Sequence, residues 1–339
     1  MNPRLVFFAR LSRLATFSRG LVVGFVALNA LVLALSLISV QRDRADHRNR
    51  AAVATQNLAQ LLQTSLDASL ERADRALLTL KDEIERQVEE GGIDNRMLND
   101  FYARAFSHQI DFDSLQVADV VGDTIQLGGR TPVAQDSVAQ RDFFITLRDD
   151  PRTTITFAKT ALSKSYDETG VVIARRLVRR TGEFAGVVYA VLGANRLHDS
   201  IAGLDLGSNG LVALRDLDLG LLVRHPRLLS ADAAADPRAV SSAFRQLLYA
   251  NRDFGTFTSK NGFDGIERTN TYRKLSGYPY YVIVGLSTDD YLQGWRRESA
   301  TTLALAAGFA LVTFVLSEQL RRFWTRREAA VALLAKQEA

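Results

Sequence analysis

Few of the side chains that could do chemistry in this 339-residue chain stand close enough in sequence to do it together. There is no cysteine, so neither a disulfide framework nor a thiolate ligand is available. The four histidines, His47, His108, His198 and His225, are too far apart for the short spacings of a metal site, and they read as surface or structural residues. No Gly-rich phosphate loop, no His-Glu-x-x-His and no strand-to-helix nucleophile turn occurs. By this reading the chain has no catalytic residue, no metal site and no cofactor. What remains is recognition chemistry built from arginine, lysine, hydroxyls and aromatic rings. Arg175 and Arg176 are adjacent in a strand-like run from Val171 to Val178, which aims them at opposite faces.

Elements must hold such residues in place, and the strongest are two uncharged apolar stretches. Gly20 to Val40 runs 21 residues and Ser299 to Ser317 runs 19. As helices these are about 31 Å and about 28 Å long, against a bilayer core of about 30 Å. A helix satisfies its own backbone hydrogen bonds in lipid, so both read as membrane spans. The first could be mistaken for a cleaved signal, with Ala34-Leu35-Ser36 as a small-x-small site. Its apolar run continues through Leu37, Ile38 and Val40, which makes it an anchor.

Residues 1–19 carry Arg4, Arg10, Arg13 and Arg19 and no acid. Residues 318–339 carry five basic and three acidic residues, and the remainder holds 33 basic and 35 acidic ones. Positive tails belong in the cytoplasm. Arg42, Arg44, Arg48 and Arg50 crowd the other end of the first span, but a loop this long is exported largely regardless of its charge. The expected layout is a two-pass protein of a bacterial inner membrane. It has a cytoplasmic tail at 1–19, spans at 20–40 and 299–317, an exported domain at 41–298 and a cytoplasmic helix at 318–339. The basic balance is a membrane-flank effect, and no nucleic acid is needed to explain it.

Within the exported part, Ala45 to Glu90 contains neither Pro nor Gly. Leu58, Leu62, Leu66, Leu70, Ala73, Leu77, Leu80, Ile84 and Val88 recur at spacings of three and four, which predicts one long amphipathic helix over 45–90. Gly91-Gly92 ends it, and a second helix is expected from about Asn95 to Gln109. Hairpin strands follow at Leu115 to Val121 and Thr124 to Leu127, then a short helix near Val138 to Arg148. Three strands come next, at Thr153 to Ala158, Val171 to Val178 and Ala185 to Leu192, and then a helix at Asn195 to Ala202. The order then repeats, with a hairpin over Leu211 to Arg224 and a helix from about Pro237 to Ala250. Its strands lie at Gly255 to Ser259, Glu267 to Lys274 and Tyr281 to Leu286, before a helix from Thr288. The fold class is α+β, with two antiparallel-sheet units, a distal one at 95–203 and a proximal one at 204–290, strung on the long helix.

Several segments in this order carry a resemblance. They are Arg141-Asp142-Phe143-Phe144, Ile173-Ala174-Arg175-Arg176-Leu177, Glu183-Phe184-Ala185-Gly186-Val187-Val188 and Leu206-Gly207-Ser208-Asn209-Gly210. Gly220-Leu221-Leu222-Val223-Arg224-His225-Pro226 and Tyr272-Arg273-Lys274-Leu275 complete the set. Residues 45 to 295 resemble the double-Cache, PAS-like periplasmic sensor domain of bacterial diguanylate cyclases (GGDEF proteins), sensor histidine kinases and chemoreceptors. That resemblance implies a small ligand in the distal unit. In the amino-acid-binding branch an Arg-x-Trp-Tyr segment holds the ligand carboxylate, and an Asp ending a Gly-Val-Val-Gly-Val-Asp strand holds its amine. Arg141 stands in place of the first, so it is the candidate anion clamp, with Phe143 as a pocket wall. Val191 stands where the Asp would be. An Arg without that Asp suits a carboxylate lacking an amine, such as an organic acid. Lys159, Ser163 and Tyr189 are further candidates by their placement along the distal strands. The competing reading of Arg141 and Asp142 is a solvated charge pair on a helix, and that of Phe143 and Phe144 is core.

The expectation is a homodimeric receptor that binds a small, anionic solute outside the membrane and signals inward. The alternative is the sensor part of a diguanylate cyclase or histidine kinase whose catalytic module is absent from these residues. Glu318 to Ala339 continues the second span as a charged helix, the coupling element to a cytoplasmic effector domain or partner protein. A structural or adaptor protein with an empty sensor fold is the third reading, favoured if no ligand is found and Phe143, Phe144 and Tyr189 fill the distal interior.

Overall fold

In the computed structural model, residues 3–106, 114–129, 137–163, 166–193, 204–226, 238–260 and 264–337 are described, with side chains in all but 3–22, 159–169 and 328–337. The chain divides into two compact units, one made of Met1–Arg50 with Tyr291–Ala339 and the other of Ala51–Asp290.

Helix α1 (Pro3–Glu90) opens the chain. Gly91 and Gly92, at φ 129° and 130°, end it in a backbone region that other residues avoid. Asp94 caps α2 (Asn95–Phe106), its carboxylate accepting from the Arg96 and Met97 amides. The first sheet takes β1 (Ser114–Ala118), β2 (Thr124–Gly129), β3 (Ile155–Ser163), β4 (Tyr166–Val178) and β5 (Phe184–Gly193), with α3 (Asp142–Asp149) between β2 and β3. The second takes β6 (Leu211–Asp216), β7 (Leu221–His225), β8 (Phe254–Lys260), β9 (Glu267–Lys274) and β10 (Tyr280–Ser287), with α4 (Ser242–Ala250) between β7 and β8. Helix α5 (Thr288–Gln337) follows.

The strand orders are β2-β1-β5-β4-β3 and β7-β6-β10-β9-β8, every pairing antiparallel. The two sheets are therefore the same arrangement used twice, as the repeating segment order predicts. In each, the last strand returns to the centre and pairs with the first.

Each sheet is covered on both faces, which is why β1, β5, β6 and β10 are buried almost without alternation. One face packs on the α1 stripe, where Leu77, Leu80 and Ile84 meet Leu115, Val117, Val171 and Ile173 of the first sheet. Val212, Leu214, Val282 and Val284 of the second sheet join the same core. Full burial of each such side chain contributes about 1.5–3 kcal/mol. Leu58 and Leu66 pack at its edge, so all nine positions of the predicted stripe lie in or against this core. The opposite faces carry α3 over Val172, Ala174, Val187 and Val191, and α4 over Leu211, Ala213, Tyr281 and Ile283.

Polar side chains along α1 fix its register against the strands. Arg175 makes a two-pronged ion pair with Asp74, at 2.6 and 2.8 Å. Glu85 and Glu89 accept from the amides of Val178 and Arg180. Gln63 donates to the Lys274 carbonyl at 2.6 Å, and Asp67 accepts from the Ser276 amide.

Some boundaries differ from expectation. Strand β1 stops at Ala118 instead of Val121, because the Asp119 carboxylate accepts from the amides of Val121, Gly122 and Asp123 and bends the chain. Helix α3 begins at Asp142, with Arg141 as its N-cap in extended conformation. Helix α4 begins at Ser242, where Ser241 caps it by accepting from the Phe244 amide. The expected helix at 195–202 lies outside the described residues.

Among the described residues, the helical segments Val23–Glu90 and Thr288–Arg327 each contain a stretch long and apolar enough to cross a membrane. Trp295 donates its indole N–H to the Val40 carbonyl at 2.9 Å, and the Arg44 guanidinium lies 5.3 Å from its ring. Thr313 donates to Asn29 at 3.0 Å between the two apolar stretches.

Candidate ligand-binding site

Three of the five residues named from the sequence come together beneath α3. Phe143, on its first turn, is buried, with its ring 5.1 Å from that of Tyr189 on β5. Tyr189 is 5 % exposed and donates its hydroxyl to the Gln116 side chain on β1. Arg141, exposed at the α3 N-cap, is close enough for its charge to act on that phenol. Burial pushes the Tyr189 hydroxyl well above its usual pKa, and Arg141 opposes this only in part. Tyr189 is therefore a hydrogen-bonding group at any physiological pH and never a phenolate.

The backbone register sets Lys159 opposite Val171 and Ser163 opposite Tyr166. The side chains of Lys159 and Ser163 lie outside the described residues. Val191 is buried among Val172, Ala174 and Val187, so its position offers a ligand only apolar surface.

Phe143 and Phe144 are also core, in the same cluster as Leu147 and Tyr189. Arg176, on this face, is buried and donates to the Leu147 and Arg148 carbonyls, tying β4 to the C-terminal turn of α3. Arg175 goes to the other face and to Asp74, so the pair divides as strand alternation requires. Both guanidiniums are committed to structure.

Sequence reasoning missed Gln116, the polar partner that makes burial of the Tyr189 hydroxyl tolerable. The signal for it is a lone amide in the apolar strand Leu115-Gln116-Val117. Missed too was a cavity of about 60 Å³ in the second sheet unit, against α4, whose lining includes Arg215, Arg224 and Lys260.

A family model for the Cache domain matches residues 44–295. The chain belongs to the Cache-domain family. Among solved structures, this Cache domain is similar to the extracellular domain of rpHK1S-Z16, a chain assigned as a histidine kinase. The TM-score is 0.58 at 22% identity, over 73% of this chain and 98% of that one. It is similar to the ligand-binding domain of the Pseudomonas fluorescens chemoreceptor CtaA in complex with L-serine, with TM-score 0.51 and 16% identity over 72% and 100% of the two chains. It is similar also to the sensory domain of the Campylobacter jejuni chemoreceptor Tlp3 with isoleucine bound, with TM-score 0.50 and 12% identity over 73% and 96%. These likenesses establish the Cache fold. No curated protein matches the chain.

Proposed function

We propose that this chain is a two-pass receptor of a bacterial inner membrane. Its exported Cache domain binds a small anionic solute in the distal unit and passes the signal inward through α1 and α5. The observation that carries the reading is a Cache domain over 44–295 with an apolar, membrane-length helical stretch on each side of it. Large apolar side chains on these stretches, among them Val23, Leu31, Leu305 and Phe314, are exposed, as lipid-facing residues would be. The CtaA and Tlp3 domains, which hold L-serine and isoleucine, support a small ligand for this fold.

For the ligand itself, Arg141 supplies a positive charge at the mouth of the α3 face, with Phe143 and Tyr189 beneath it. Lys159 and Ser163 are the further candidates. With Val191 apolar, an organic acid is the better fit than an α-amino acid. Binding acts by population shift: the ligand favours one of two arrangements of the domain by no more than its difference in affinity for them. A homodimer and a cytoplasmic effector, carried on a longer chain or on a separate protein, complete the path.

The test is a screen of organic acids and amino acids against the full chain in nanodiscs, followed by thermal unfolding. Organic acids are expected to raise the unfolding midpoint in wild type, and Arg141→Ala is expected to remove the response. A response to every hit that survives Arg141→Ala would show that the pocket is elsewhere.

A further inference from the structure

We propose that the flank where the two apolar stretches give way to the Cache domain is a binding belt for the headgroups of anionic membrane lipids, held by Arg42, Arg44, Arg48 and Arg297. It rests on both stretches crossing a membrane, and it adds a partner to that reading. Lys and Arg in excess mark the side of a membrane that is not exported. The arginines beside the Cache domain work against that bias, so insertion does not explain why they are there.

The two helices are tied together at this level. Trp295 donates to the carbonyl of Val40, the last residue of the first apolar stretch, and the Arg44 guanidinium lies 5.3 Å from its ring. A contact with an aromatic face orients Arg44 and leaves its charge in place. Helical rise sets Arg42 about 3 Å and Arg44 about 6 Å past Val40, and Arg297 about 3 Å before Ser299. These heights fall in the headgroup layer, which adds roughly 5–7 Å to each side of the hydrocarbon core. Arg48 follows Arg44 by one turn on the same flank, about 12 Å past Val40. Its long side chain can reach down toward that layer.

The charge of these four residues is available to a partner. All are exposed, and among the described residues none of them is paired with an acid. Of the acids in the same segments, Asp43 is half-buried, Asp46 is exposed, and Glu298 stands 3.9 Å from His47. A lipid phosphate lies in the same layer, carries the opposite charge and accepts the paired N–H groups of a guanidinium. A zwitterionic headgroup brings its own ammonium to compete for that phosphate, which gives the anionic lipid the advantage. Leu35, Ile38 and Leu303, next to the belt, are exposed and offer acyl chains a surface that a soluble phosphate cannot use.

The test reads the belt through Trp295, in the full chain carrying Trp324→Phe, in nanodiscs of mixed phosphatidylglycerol and phosphatidylcholine. Bromine is placed on the acyl chains of one lipid or the other at equal mole fraction, and it quenches an indole only on close approach. Brominated phosphatidylglycerol is expected to quench Trp295 at least about twofold more than brominated phosphatidylcholine. Arg42→Gln, Arg48→Gln and Arg297→Gln combined are expected to make the two equal. These exposed changes keep good helix formers and leave Arg44 on its ring. Equal quenching before the arginines are changed, or a preference that survives the triple change, overturns the proposal. Loss of the preference on adding inorganic phosphate at constant ionic strength overturns it as well, by assigning the arginines to a soluble anion. Quenching by neither lipid would place Trp295 outside a bilayer and overturn the membrane reading together with the belt.

Discussion

Asp264 shows how a single carboxylate is made to organise part of a sensor unit. Burial by itself would raise its pKa. The hydrogen bonds from Arg268 and the Ile266 amide, with the charges of Arg268 and Arg224, outweigh that and hold the carboxyl below its usual range. A carboxyl depressed in the folded state contributes stability above its unfolded pKa of about 4, and that contribution is lost as pH falls through the folded value. Asp264→Asn is therefore expected to cost about 1–3 kcal/mol at pH 7, by removing the carboxylate that Arg224 and Arg268 share. The gap from wild type should narrow as pH falls through the depressed folded pKa of Asp264. Unfolding midpoints of both proteins measured between pH 2 and pH 7 check this, and a constant gap would refute it. None of this network was legible in the sequence. Asp264 and Arg268 are four residues apart, but Asn209 and Arg224 reach them only through the strand order. The bond from Arg175 to Asp74 spans 101 residues and was hidden for the same reason, although alternation along β4 did predict that Arg175 and Arg176 part company.

Among the elements, those with a period were legible and those with a special end were not. The α1 stripe and the repeated order of hairpin, helix and three strands could be read because each buried face leaves its own spacing in the sequence. Val120 and Val121 look like strand, yet they are exposed in a turn, since a carboxylate accepting three amides overrides β propensity. Gly186 is a comparable special position. It lies where the β4–β5 register shifts, at φ 132°, and a Cβ there would stand 2.2 Å from the Ala118 carbonyl oxygen. Gly186→Ala combines an unfavourable backbone with a clash between three central strands, and it is expected to destabilise the protein by more than about 2 kcal/mol. Gly182, in the neighbouring turn at φ 87°, has nothing within 4 Å of the same atom. Gly182→Ala should therefore cost less, about 1 kcal/mol. Denaturant midpoints of the two variants measured side by side test the ranking. Of the candidate site, Phe143 and Tyr189 stand ring to ring and Tyr189 donates to Gln116, contacts between segments far apart in sequence that no spacing reveals.

For the whole molecule, the central claim of the proposed receptor is that a ligand held by the Cache domain changes the contact between the two apolar helices. The chain has two tryptophans, Trp295 and Trp324, and the first sits where the helices meet, bonded to the Val40 carbonyl with Arg44 beside its ring. Trp324→Phe leaves Trp295 as the sole indole. Its emission in nanodiscs is then a direct readout of that contact, taken while an organic acid found by the screen is titrated in. The account predicts a saturable change in Trp295 emission, in intensity or wavelength, with the same midpoint as binding measured calorimetrically on the same sample. Calorimetric binding with Trp295 emission unmoved across saturation would contradict it.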